Sequence, residues 1–203
     1  MISGSSTNNQ PSLIQDPALT GTLLGAFIFA VEKVLQGLSN RLPASIIAYD
    51  RSTNRAQVEI LIPMVTTNGS VVSRAQIASV PVQIDGGGGV FISFPLITGD
   101  LGWIEANDRD ISLFLQTYTQ TKPNTFRRWS FSDAKFTPDQ MKGFIINFID
   151  RDAAVISTVD GTVRIAISPA GVNITSPVML FTGNLHVSGT ISASGTITPS
   201  TPP

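Results

Sequence analysis

Along the last part of the chain, apolar and polar positions alternate in short runs. Val163, Ile165 and Ile167 come first, then Val172 and Ile174, Val178 and Leu180, Leu185 and Val187, and finally Ile191 and Ile197. Gly161, Gly171, Gly183, Gly189 and Gly195 punctuate them. A period of two places one apolar face opposite a Ser/Thr/Asn face. Such short strands, turned at glycines, cannot close a core within one chain. Three copies wound about a common axis can, and each then pairs with its neighbours so that few edges stay open. The pattern predicts an intertwined, trimeric triple-stranded β-helix over 153–203, with those eleven apolar residues as its core. The alternative is a disordered or monomeric tail. The ending TPSTPP stops strand pairing, because proline lacks the donor.

Upstream, residues 43–50, 57–63, 70–77, 80–84, 90–94, 101–106 and 111–117 read as short strands separated by turn-forming stretches such as RSTNR and DGGGG. This spacing predicts a mainly β chain with a small closed barrel, an OB-fold, over 42–122. Residues 123–152 read as a connector that includes the apolar run GFIINFI. At the N-terminus, an arm and helix are expected over 1–41. Leu23, Leu24, Phe27, Ile28, Val31, Val34, Leu35 and Leu38 follow helical spacing and predict a helix over 17–39. Asp16 would cap it with Pro17 at the first position, and Gly37 or Asn40 would end it. Its wide apolar stripe packs against its own domain or a partner subunit. Leu24, Phe27, Ile28, Val31 and Leu35 are the candidate contacts.

Charge sharpens this picture. Only 13% of the 203 residues are charged, against about 25% in an average soluble domain. The charges all lie between Asp16 and Arg164, so the first 15 and last 39 residues carry none. A free-standing monomer would rarely leave so long a terminus uncharged, since exposed charge protects strand edges and solubility. A net charge of -1 argues against a general nucleic-acid or membrane-surface binder. The apolar run 22–31 is far short of the roughly 20 residues that a spanning helix needs. It also lacks the positively charged start of a secretory signal.

Candidate chemistry is sparse. The absence of cysteine removes disulfides, thiol nucleophiles and zinc-thiolate sites. DGGGG lacks the lysine and hydroxyl residue of a phosphate-binding loop and reads as a hairpin or a close inter-subunit contact. Asp108 and Asp110 lack a cation-binding ligand ladder and read as a turn paired with Arg109 or a neighbouring subunit. Arg127 and Arg128 beside Trp129 suit an interface better than nucleic-acid stacking. No recognisable lysozyme-like carboxylate pair or Ser/His/Asp set is present, so the expectation is a structural protein, not an enzyme.

Several segments together resemble a known family. They are SVPVQIDGGGGVFISFPLITGDLGWIEANDRDISLFL (79–115) and NTFRRWSFSDAKFTP (124–138), with a VPV strand, a glycine run, an FPL-x-x-GD-x-G turn, a DRD triplet and an RR-x-S-x-SDA segment. The combination resembles the N-terminal domain of the membrane-puncturing central spikes of contractile-tail phage baseplates. The resemblance implies an OB-fold collar, a homotrimer and a C-terminal needle of three interwound chains, in a virion assembled in the host cytoplasm. It implies as partners a baseplate hub or tail-tube protein, met through the N-terminal helix and Arg127 and Arg128, and transient contact with the host outer membrane. No nucleic-acid partner is expected. Some such spikes hold an axial iron through a His-x-His pair near the tip. Here the pattern is Leu185-His186-Val187, with no second histidine. Alternation sends His186 to the face opposite Leu185 and Val187, so the expectation is no cofactor, His186 as a solvated residue and a separate tip protein; the alternative is His186 as an axial ligand to iron or another ion in the trimer. The rival reading is an OB-fold module with a flexible tail that binds single-stranded nucleic acid or oligosaccharide.

Overall fold

Alternating apolar positions build the first of two compact units, Met1–Lys142. The computed structural model describes residues 21–195 apart from 37, 39, 67 and 68. Helix α1 (Leu23–Gln36) opens the described chain, followed by strands β1 (Arg41–Asp50), β2 (Arg55–Ile60), β3 (Met64–Val65), β4 (Val71–Val72), β5 (Ile77–Pro81), β6 (Asp85–Gly87), β7 (Val90–Ile92) and β8 (Leu101–Asn107). A short helix α2 (Phe114–Thr117) leads to β9 (Ser130–Pro138).

Five of these strands form one antiparallel sheet in the order β5-β2-β1-β8-β9. Its inward positions follow the period of two: Ala44 and Ile46 on β1, Ala56, Val58 and Ile60 on β2, Ile104 on β8, and Ala134 and Phe136 on β9 are buried. Just past β5, Val82 bridges to Phe136 in parallel, and the Gln83 amide donates to the Phe136 carbonyl at 2.8 Å. The edge strands therefore meet, and the sheet is nearly closed and barrel-like. Gly102 is required where β8 passes β9, since a Cβ there would overlap the Thr137 carbonyl and the Phe136 ring. The LITGD stretch is a turn docked on β1. The Asp100 carboxylate accepts the Ile97 amide at 2.8 Å, and the Thr98 hydroxyl donates to the Ile47 carbonyl at 2.8 Å. DGGGG forms the β6–β7 hairpin, with Gly88 and Gly89 both at positive φ as a type I′ turn needs.

Three sequence expectations are corrected here. Residues 111–117 are not a strand: the Asp110 carboxylate accepts the Ser112 amide at 2.9 Å and turns the chain into α2. The last barrel strand is instead β9, which falls in the stretch expected as connector, so the barrel extends past residue 122. α1 begins at Leu23, where the Thr22 hydroxyl caps the Gly25 amide at 3.0 Å, and it ends at Gln36. Asp16, Pro17 and Gly37 lie outside the described residues. Among the described residues, no helix is long and apolar enough to cross a membrane.

The second unit, Gly143–Pro203, is a three-stranded antiparallel meander of β10 (Ala154–Ser157), β11 (Arg164–Ser168) and β12 (Gly171–Thr175). A 3-10 turn at Phe148–Asp150 precedes it, started by the Asn147 side chain, which accepts the Ile149 amide. That turn buries Asp150 against Arg164, whose guanidinium also donates to the Gly161 carbonyl at 3.1 Å. Among the described residues, 176–195 form no strand. The expected strands around Val178, Leu180, Leu185, Val187 and Ile191 are not formed in the single chain, and all five side chains are exposed. Short runs broken by proline and glycine have no ladder partner within one copy.

Candidate assembly interfaces

The meander has two unlike faces. Cross-strand register lines up Ile156, Ile165 and Ile174 in one row, and Ala154, Ile167 and Val172 in the next. All six lie on the same face and all are exposed. The opposite face carries Arg164 and Ala166, which are buried. Among the described residues of this unit, Ala166 is the only buried hydrophobic one. The alternation expected from the sequence is thus present in β11 and β12, and within one copy its apolar side is uncovered. Val163, just before β11, is exposed as well, and Ile197 lies outside the described residues.

Helix α1 presents a second apolar surface. Leu24, Phe27, Val31 and Leu35 are exposed and Ile28 is half-buried. Among the described residues, nothing covers most of this stripe in one copy.

Arg127 and Arg128 part company. Arg128 is exposed. Arg127 is engaged within its own barrel, where one terminal nitrogen, Nη2, donates to Asp110 at 3.2 Å and to Asp133 at 3.1 Å. Both aspartates are buried. The Ser112 hydroxyl and amide, then the Thr125 hydroxyl at 2.7 Å and the Arg127 charge, hold the Asp110 carboxyl well below the usual carboxylate range. Burial pushes the Asp133 carboxyl up, against the pull of Arg127. The DRD triplet and the RR-x-S-x-SDA segment thus meet in one cluster that ties the β8–β9 connection to β9. Asp108 pairs with Arg109 at 3.0 Å, as the turn reading expected. The Asp110–Arg127–Asp133 cluster and the Asp150–Arg164 pair escaped the sequence reading. The one available hint was a set of charged residues flanked by apolar strand positions.

His186 is exposed, like Leu185 and Val187 on either side. Among the described residues, no group of three or more His, Asp or Glu side chains is placed to hold a metal ion.

No curated protein matches the chain. Residues 42–139, just under half of it, match the family model described as phage protein Gp138 N-terminal domain. Over this span the chain is similar to a phage protein, and that likeness supports a structural, virion-associated role.

Proposed function

We propose that this protein is the central spike of a contractile-tail phage baseplate, a homotrimer driven through the host outer membrane when the sheath contracts. The observation that carries the proposal is the uncovered apolar face of β10–β12, followed by uncharged chain with every described apolar side chain exposed from 176 to 195. A single copy gains nothing from that pattern, whereas three interwound copies bury it. The phage-domain likeness of 42–139 supplies the setting. The strand order β5-β2-β1-β8-β9 with a parallel closure between Val82 and Phe136 supports reading the barrel as a five-stranded OB-fold collar.

In this reading the function is mechanical. Force enters through the collar and the exposed stripe of α1, which meets the hub or tail tube. An interwound β-prism resists it because many inter-chain hydrogen bonds must break together, which makes unfolding slow. The uncharged Ser/Thr surface crosses a bilayer at a lower electrostatic cost than a charged one. No catalytic step and no cofactor are invoked, and His186 faces solvent beside a tip supplied by another protein. Gold-labelled antibody against residues 42–139, viewed on intact particles by electron microscopy, tests the placement. Label at the distal centre of the baseplate is expected. Label confined to the capsid or along the sheath would overturn it.

A further inference from the structure

Two buried carboxyl groups in the barrel share one cation. Asp110 stands in the β8–β9 connection and Asp133 on β9, at 4 and 6% exposure. Both accept from the same Arg127 atom, Nη2, at 3.2 and 3.1 Å, and the Asp110 carboxyl lies within hydrogen-bonding reach of Asp133. With both groups ionised, the cluster keeps a net negative charge out of water, which is costly.

The two carboxyl groups are furnished differently. Asp110 accepts the Ser112 amide at 2.9 Å and the Thr125 hydroxyl at 2.7 Å, donors that favour its ionised form. Asp133 Oδ2 is buried with no donor. As a carboxylate oxygen it bears the full desolvation cost of that group. Protonated, it becomes a hydroxyl that donates to the Asp110 carboxyl beside it. The other charged side chains of the surrounding elements are engaged elsewhere or exposed. Arg55 of β2 donates to the Ser79 carbonyl at 2.7 Å, Lys135 of β9 pairs with Glu105 at 3.3 Å, Arg109 pairs with Asp108 at 3.0 Å, and Arg128 is exposed. A proton is the positive charge that the cluster lacks.

We infer that Asp110 and Asp133 hold one proton between them, and that this shared proton is a pH-sensitive latch tying the β8–β9 connection to β9. Asp133 carries the proton and Asp110 accepts from it. Burial and the Asp110 carboxyl push Asp133 up, against Arg127, while the Ser112 and Thr125 donors push Asp110 down. Because the folded value of Asp133 is raised, its contribution to stability is present below the ordinary carboxylate range and is lost as pH rises through that raised value. Above it two carboxylates compete for one guanidinium, and the connection loosens.

Carbon-13 NMR titration of the 203-residue chain, labelled at the aspartate carboxyls, tests this. One carboxyl is expected to titrate above the ordinary value near 3.9, and its resonance is expected to vanish in Asp133→Asn. In Asp110→Asn that carboxyl no longer shares Arg127, and it is expected to lose about tenfold or more in proton affinity. Amide hydrogen exchange over 111–128, corrected for the intrinsic rate, is expected to rise along the same titration in the parent and to stay flat in Asp133→Asn. If either variant fails to fold by circular dichroism, the parent titration and the other variant decide. The inference is overturned if no aspartate titrates above the ordinary range, if Asp110→Asn leaves the raised carboxyl unmoved, or if exchange over 111–128 does not follow the titration.

Discussion

Placing a charge on the uncovered face of the meander should prevent assembly. The side chains of Ile156, Ile165, Ile167, Val172 and Ile174 are 67, 38, 49, 63 and 48% exposed in one copy. Together that is between two and three whole side chains. At about 1.5–3 kcal/mol for each fully buried aliphatic side chain, covering them is worth roughly 4–8 kcal/mol per copy. Ile174→Asp forfeits about half of one isoleucine and places a carboxylate in the new core, where desolvation costs several kcal/mol per ion. Per copy, that cost is of the same order as the gain, and three-fold symmetry repeats both in every copy. Asn173→Asp sits next door on the opposite face, where Asn173 itself is exposed, and should change little. Sedimentation velocity at micromolar protein is expected to show dissociated Ile174→Asp beside intact Asn173→Asp. An Ile174→Asp protein that sediments like the parent would refute the reasoning, and so would equal dissociation of both variants.

The barrel and its clusters give further expectations. Phe136 is fully buried at the point where the sheet closes, so Phe136→Ala should cost about 3–5 kcal/mol, read as a lower urea midpoint by Trp103 fluorescence; an unchanged midpoint would remove Phe136 from the core's centre. Asp110 has its pKa lowered on folding, so it stabilises the native state above the ordinary carboxylate range near 3.9, and that contribution is lost as pH falls below it. Asp110→Asn should therefore flatten the acid limb of stability against pH and lower stability at pH 7, whereas parallel curves for variant and parent would contradict the assignment. Breaking the buried Asp150–Arg164 pair with Asp150→Ala leaves a buried guanidinium uncompensated, at a cost of about 3–5 kcal/mol. Hydrogen exchange should then lose protection in β11 while β1 and β8 keep theirs; unchanged β11 protection would show that the pair does not hold the turn to the meander.

The parts of the fold that were legible are those where period-two alternation and turn chemistry act locally. β1, β2 and β8 fell close to their expected spans, and the glycine run and LITGD turn formed where their residues require them. β9 was hidden because SFSDAKFTP carries Asp133 and Lys135, which weaken the apolar signal. Asp133 is buried with Arg127, six positions away, as its charged partner. Residues 111–117 looked like a strand by composition, but one Asp110 hydrogen bond to a backbone amide redirected them. Arg164 marks the end of the charged zone in sequence, yet its burial depends on Asp150, fourteen positions upstream. Such pairings arise from tertiary approach, which spacing along the chain does not encode. The tail's alternation is present as strands in β11 and β12 alone, and residues 176–195 form none, because alternation specifies a face and not the partner that would cover it.

The central claim is that three copies share one core. Native mass spectrometry of the 203-residue chain tests it most directly. Three copies of a 21.6 kDa chain give a species near 65 kDa, expected to persist on dilution below micromolar. A spectrum dominated by the 21.6 kDa chain would contradict the account.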